Sequence, residues 1–510
     1  MITSYRPVTA KARREVCTWA LSCALMAASA FVLPDKATAD ESDEQPAQPN
    51  ILLAIADDWG WPHAGAYGDP VVKTPTFDRL AREGVLFNHA YVSSPSCTPS
   101  RGALLTGQWH WRLRAGANLW SVFPDDIPTY PELLAESDYE VGVTGKGWGP
   151  GRAETQGRPI AGKPFKDFRA FLDQRDPKKP FCFWLGTTDP HRPYELGSGE
   201  KSGMDLSAIR LPACFPDNEI VRGDVADYYF EVQRFDRLVG SAFDALAEIG
   251  ELDNTIVVMT GDHGMPFPRG KANQYDTGTR VPLAVRYPPR YPKGRTIDDF
   301  VSLTDLAPTF LEAAGVAIPD DMTGRSLIDM LASDKSGRID PERDHVLSGK
   351  ERHVPCQEKP NMGGYPCRSI RTHDYQYIRN YEPDRWPLGT PDWRNAAIEG
   401  AWLADCDNGP TKTFMVENRD RDEHHRRLYD LAFAKRPAEE LYDLRSDPDQ
   451  LANVAGQAKF ADVQKRLAAQ LEEELIATDD PRAIGKGRQF DGYPYLGGAP
   501  KHPEWESENE

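Results

Sequence analysis

Two short apolar runs, some two hundred residues apart, each stop at acidic residues, and this repeated pattern constrains the fold more than any other feature. The first, Ile51-Leu52-Leu53-Ala54-Ile55-Ala56, ends at Asp57-Asp58; the second, Thr255-Ile256-Val257-Val258-Met259-Thr260, ends at Gly261-Asp262-His263-Gly264. Apolar residues without alternation mark a strand buried on both faces, and polar residues at its carboxyl end mark a ligand site. Further strands are expected at 139–144 and 180–186. Helical spacing covers 76–83, 227–249 and 306–314, with Gly315 suited to cap the last. Strands alternating with helices predict an α/β fold, a mostly parallel sheet sandwiched by helices.

Beyond residue 360 the texture changes. Residues 367–380 alternate like antiparallel strands and 458–476 has helical spacing. The expected organisation is a leader over 1–39, a catalytic domain over 46–360, a smaller C-terminal α+β domain over 361–484 and a Gly-, Pro- and Glu-rich tail over 485–510. Arg6, Lys11, Arg13 and Arg14 precede an apolar run from Val16 to Leu33, and Ala37-Thr38-Ala39 supplies a cleavage site. A secreted or periplasmic protein is expected, with no membrane span once the leader is gone. Disulfides persist in such compartments. Cys356 and Cys367, separated by a short Gly- and Pro-containing loop, are the expected pair, and the lack of close CxxC spacing argues against structural zinc. A formal net charge of −18 argues against nucleic-acid and anionic-membrane partners, and any anionic ligand then needs a local basic pocket.

The most specific segment is Ser96-Cys97-Thr98-Pro99-Ser100-Arg101-Gly102-Ala103-Leu104-Leu105-Thr106-Gly107. Its Cys-x-Pro-Ser-Arg core resembles the type I sulfatase signature, in which the cysteine is oxidised to formylglycine by the formylglycine-generating enzyme. The two acidic strand ends resemble the family's metal motifs. The segments Thr74 to Ala81, Gly145-Lys146-Gly147, Lys271 with Tyr275 to Pro282, and Glu440 to Pro448 follow in the family's order. Trp61 to Gly68 and Asp189-Pro190-His191-Arg192-Pro193-Tyr194 are most similar to heparan N-sulfatase (sulfamidase)-like members. The resemblance runs from about Asn50 to about Ala455. It implies an alkaline-phosphatase-like fold, Ca2+ as cofactor and a sulfated carbohydrate as substrate, a heparan-type glycosaminoglycan or another sulfated polysaccharide.

The residue types suit these roles. Calcium prefers oxygen ligands in loose geometry, which Asp57, Asp58 and Asp262 offer, with His263 and the oxidised Cys97 completing the set. An aldehyde hydrate provides a nucleophile that a thiolate would not, because its second hydroxyl lets the sulfate leave by elimination. Arg101, one helical turn past Cys97, is placed to hold that hydrate. Lys146 and Lys271 are candidates for the sulfuryl oxygens. His191 is the candidate general acid, and Arg192 a candidate anion contact. Arg352 and His353, in Lys350-Glu351-Arg352-His353, extend the expected pocket, as does Trp148. Trp59, Trp61, Trp109, Trp111, Trp120 and Trp148 offer flat faces to core or sugar.

One position departs from the family pattern. Many sulfatases have lysine, any residue, then histidine where this chain has Lys146-Gly147-Trp148, so the histidine that assists elimination is absent there. His110, just past the Cys97 helix, is the expected stand-in. Two alternatives to a sulfatase remain at this point: a phosphonate or phosphodiester hydrolase of the same superfamily, and a catalytically silent protein that binds sulfated glycans.

Overall fold

The computed structural model describes residues 48–509, and the leader expected over 1–39 lies outside the described residues. Eight strands form the main sheet: β1 (Asn50–Ala56), β2 (Val85–Tyr91), β3 (Glu140–Thr144), β4 (Lys163–Pro164), β5 (Phe181–Gly186), β6 (Thr255–Gly261), β7 (Leu283–Arg286) and β8 (Arg295–Ser302). Their spatial order is β8-β2-β7-β6-β1-β5-β3-β4. Every pairing is parallel except those of β7 with β2 and β6, so the sheet is mostly parallel, as expected.

The two apolar runs lie side by side at the centre. β1 pairs with β6 from Asn50↔Thr255 to Ala56↔Gly261, which brings Asp57 and Asp262 to the same edge. Successive side chains point to opposite faces of a strand. Leu52, Ala54 and Ala56 enter one core with Val257 and Met259, while Ile51, Leu53 and Ile55 enter the other with Ile256 and Val258. The first core is covered by α1 (Pro75–Glu83), through Phe77 and Leu80, and by a long later helix, Glu219–Glu248, through Val225, Val232 and Phe235. The second is covered by α2 (Cys97–Thr106) and by Leu306–Ala313, which ends before Gly315 at φ 72°. The long helix begins eight residues before the expected start, where Asn218 accepts hydrogen bonds from the Ile220 and Val221 amides.

A second, antiparallel sheet comprises β9 (His345–Lys350), β10 (Cys367–Thr372), β11 (Tyr375–Asn380) and β12 (Glu439–Asp443), in that order. Its first strand lies upstream of residue 361. Helix Ala461–Ala477 packs on this sheet through Leu467, Leu471 and Leu475, with Phe490 of the tail. Residues 48–509 belong to one compact unit. Among the described residues no helix is long and apolar enough to cross a membrane.

The expected Cys356–Cys367 disulfide does not form. All six described cysteines are buried free thiols. Cys356 lies against Gly389 and Asp405, whereas Cys367 opens β10 among Tyr275, Ile378 and Tyr442. The intervening loop sends the two side chains into different cores.

Candidate active site

Cys97 is the first residue of α2, at the helix end where free backbone amides and the aligned peptide dipoles favour anions. The helix points this end at the carboxyl ends of β1 and β6. Ligand atoms of Asp57, Cys97 and Asp262 lie within 4.8 Å of one another, as do those of Asp58, Cys97 and His263. Cys97 Sγ is 3.2 Å from His263 Nε2. Asp58 sits at φ 75°, a conformation that asparagine and aspartate tolerate better than other side-chain-bearing residues, and its amide donates to Asp262 Oδ1 at 2.9 Å. The strand register and this bend together aim acids from distant parts of the chain at one point.

Cations interleave with the acids. Arg101, fully buried four residues past Cys97, donates through Nε to Asp262 Oδ2 at 2.7 Å. One terminal nitrogen reaches the Lys146 and Gly147 carbonyls at 2.9 and 3.1 Å, and the other Asp57 Oδ1 at 3.4 Å. Lys146 Nζ lies 2.6 Å from both Asp57 oxygens, and Lys271 Nζ bridges Asp58 at 2.9 Å and Asp407 at 3.0 Å. Burial alone would raise the Asp57 carboxyl, but Lys146, His191, Arg101 and Lys271 outweigh it and hold the pKa well below the usual range. Burial likewise works against the Lys271 charge, and Asp407 and Asp58 overcome it. Burial pushes the Cys97 thiol well above its ordinary value although Lys146 and Lys271 pull the other way. As a plain cysteine it stays protonated.

A cavity of about 670 Å³ opens above this cluster. Of the expected residues, Asp57, Cys97, Lys146, His191, Arg192, Lys271 and His353 line it. Asp58, Asp262, His263 and Arg101 lie beneath, fully buried. His191 Nε2 is 3.9 Å from Asp58 Oδ2. His353 Nδ1 bonds Ser96 Oγ at 2.8 Å, beside the start of α2, and burial followed by the nearby Lys271 and Lys350 holds its pKa well below the ordinary histidine value. Arg192 faces the cavity, but its guanidinium is paired with Asp224 by two 2.8 Å bonds and lies between the rings of Tyr194 and Phe267.

Three expected residues lie elsewhere. His110 is fully buried, bonded through Nδ1 to Ser93 Oγ at 2.8 Å and packed on Trp111; it does not line the cavity. Trp148 packs edge-on against Phe123 and over Gly102. Arg352 turns away to the C-terminal tail, where it donates to the carbonyls of Asp491, Tyr493 and Pro494 at 3.3, 2.8 and 3.1 Å. Of the six tryptophans read as core or sugar platforms, only Trp120 lines the cavity. Trp59 and Trp111 are fully buried, Trp109 stacks on Trp111, and Trp61 lies under Arg280.

Asp407 was not anticipated. Its carboxylate lies within 4.8 Å of ligand atoms of Asp58 and His191, and Lys271 and His191 hold its pKa below the usual range against the effect of burial. The acidic turn Asp405-Cys406-Asp407-Asn408-Gly409 was the available signal, but no periodicity ties it to the strand ends. Tyr495, Gly498 and Pro500, from the tail, were also missed.

Acids at the carboxyl ends of adjacent parallel strands, beside a buried helix N-terminus and two lysines, form the candidate hydrolytic site of an alkaline-phosphatase-like α/β fold. A family model described as Sulfatase matches residues 49–316, and one described as N-sulphoglucosamine sulphohydrolase, C-terminal, matches residues 261–390. The chain belongs to the sulfatase family. It is 29% identical over 486 residues to human N-sulphoglucosamine sulphohydrolase, covering 85% of this chain and 91% of that protein. An ulvan-active sulfatase of Formosa agariphila is 28% identical over 452 residues, covering 85% and 81%. Among solved structures, one described as a complex with its substrate D-glucosamine-2-N,6-O-disulfate superposes with a TM-score of 0.60 at 22% identity, over 86% of this chain and all of the other.

Proposed function

We propose that this protein removes sulfate from a sulfated carbohydrate, an O-sulfate ester or the N-sulfate of a glucosamine unit, through a formylglycine at position 97 beside a calcium ion. One observation carries this reading: Cys97, the acids of two strand ends, and Lys146, Lys271 and His191 meet at one cavity. The substrates in the relatives' names, N-sulphoglucosamine and ulvan, support a carbohydrate.

The donor set fits a hard divalent cation. Asp58 Oδ1 is buried and accepts no hydrogen bond. Four carboxylates, Asp57, Asp58, Asp262 and Asp407, face three cations, Arg101, Lys146 and Lys271, and a dication would turn that negative excess into a net positive charge suited to an anionic sulfate. Asp57, Asp58 and Asp262 would supply oxygens and His263 a nitrogen. Bound there, calcium would polarise the sulfuryl oxygens and lower the pKa of the attacking hydroxyl, while the aldehyde hydrate at position 97 would supply that hydroxyl.

The chain's own residues do the rest. Lys146 and Lys271 hold the sulfuryl oxygens and offset charge that grows as the S–O or S–N bond breaks. Arg101 keeps Asp57, Asp262 and the Lys146 loop in register, so the nucleophile is fixed relative to both lysines. His191, on the open side of the cavity, gives its Nε2 proton to the departing oxygen or nitrogen. His353 stands where His110 does not, at the cavity and one bond from Ser96, and is the nearer candidate for the elimination step. The leader read at 1–39 supports secretion or periplasmic export, and the Cys97 segment supports oxidation by a formylglycine-generating enzyme.

The test is free-sulfate release from defined N-sulfated and O-sulfated glucosamine saccharides, with the mass of the peptide containing position 97. Conversion exchanges sulfur for oxygen with loss of two hydrogens, about 18 Da in all. Release by the converted protein and none by Cys97→Ala is expected. Equal release by Cys97→Ala would overturn the assignment.

A further inference from the structure

The cavity has two kinds of lining. Lys146, Lys271 and His191 line it, and a contiguous apolar wall that starts at Cys97 runs through Leu119, Trp120, Val354, Ala404 and Tyr495, with Pro500 beside it. Two of these, Tyr495 and Pro500, come from the tail, roughly 400 residues from Cys97 in sequence. We propose that Trp120 and Tyr495 form a stacking wall for the sugar ring that carries the sulfate, and that Arg352 is the positioning residue that sets this wall. The inference rests on the sulfated-carbohydrate reading above.

Five observations support a built wall. Trp120 is held at φ 49°, a region that residues with side chains seldom adopt and that recurs at binding sites. Its ring lies directly on the backbone of Gly497, where an added Cβ would come within 2.2–2.4 Å of three indole carbons. The Leu496 amide also donates to the Trp120 carbonyl at 2.9 Å, so the tail clamps the residue by backbone and by ring. Tyr495 is fixed in turn, its hydroxyl donating to the Gly498 carbonyl at 2.5 Å. Arg352, itself 2% exposed, satisfies the tail carbonyls of Asp491, Tyr493 and Pro494 just before Tyr495, and its own carbonyl accepts the Leu119 amide at 3.0 Å. One residue therefore ties both halves of the wall together, the tail half by its side chain and the Leu119 half by its backbone.

The chemistry of the occupant follows. A pyranose presents a flat face of C–H groups and a rim of hydroxyls. Aromatic side chains bury the former at little conformational cost, while the sulfate is held by the lysines that line the same cavity. The wall touches the ring and not the sulfur, so it contributes equally to ground and transition states and acts on KM rather than kcat.

Kinetics with an N- or O-sulfated glucosamine, with inhibition by free sulfate and by the desulfated sugar, separates the two linings. Trp120→Ala and Tyr495→Ala should each raise KM and the desulfated sugar's Ki about tenfold, with kcat and the Ki of sulfate changed less than twofold. Tyr495→Phe keeps the ring but loses the Gly498 bond and should raise KM less than Tyr495→Ala does; Arg352→Gln should reproduce the KM shift with the sulfate Ki unmoved. An unchanged KM in both alanine variants, or a sulfate Ki rising in parallel, overturns the wall. Should the wild type release no sulfate, the sulfatase reading fails by itself. Calorimetric binding of the desulfated sugar to wild type and Tyr495→Ala still decides the wall: weakened binding supports it and equal binding overturns it.

Discussion

Arg101 and His110 are both reached by counting forward from Cys97, and only the first count lands at the site. Four residues is one helical turn, which returns to the same face. Thirteen residues passes the whole of α2, about 15 Å long at 1.5 Å per residue, so His110 lies beyond the far end of the helix from Cys97. Neighbours diverge as sharply at Arg352 and His353, adjacent in the chain but turned to the tail and to the cavity. Motif spacing made Asp57, Asp58, Cys97, Arg101 and Asp262 legible because strand ends and one helical turn have fixed geometry. It left Asp407 and Tyr495 illegible because irregular segments have none. His353→Ala is expected to lower kcat at least tenfold, with His110→Gln within twofold of wild type, in steady-state assays of free sulfate. Two other histidines carry a stability prediction. Burial, against a weaker opposing effect of Asp69, holds His63 at about 4, and burial with Arg280, His373 and Arg371 holds His89 at about 3. Their folded values lie below the unfolded one, so the unfolded chain binds these protons first. Stability is complete above about pH 6.5 and falls as pH drops toward 4 and 3. At pH 5 each should cost about 2 kcal/mol in denaturant unfolding, and His89→Asn should remove its share of the slope.

At the scale of elements, the close approach of two backbones decides where Lys146 stands. Gly186 ends β5, and a Cβ there would fall 2.0 Å from the Lys146 carbonyl oxygen, the atom that also accepts from Arg101 and from Trp184. Gly186→Ala must push the Lys146 loop away from Asp57. A drop in kcat of about a hundredfold is expected, larger than any accompanying change in thermal midpoint would explain. The start of the long helix makes a contrasting case. Asn218→Ala removes a cap far from the chemistry and should cost about 1 kcal/mol in stability with kcat/KM unchanged. The sheet itself was well foretold: β1, β3, β5 and β6 fall within a residue or two of their expected bounds, because apolar runs buried on both faces have few other solutions. The early start of the helix was not, because its first turn, Glu219 to Arg222, buries Val221 but exposes Ile220, so its apolar residues do not yet follow one stripe.

For the whole molecule, a net charge of −18 surrounds a cavity lined by lysines. Long-range repulsion and short-range attraction then respond differently to salt, because screening acts on exposed and distant charges first. Raising ionic strength from about 10 to 150 mM should speed association of a long polyanionic chain about two- to fivefold, in stopped-flow measurements, while a sulfated monosaccharide changes little. Position 97 is 2% exposed in the folded protein. Ribosomes add about 5–20 residues per second. The stretch between Cys97 and Tyr495 therefore represents on the order of tens of seconds during which the thiol exists and its roof does not. The oxidation proposed for that cysteine would belong to this interval, before the chain closes over it, and the pace of folding would then set how much of the protein is born able to act.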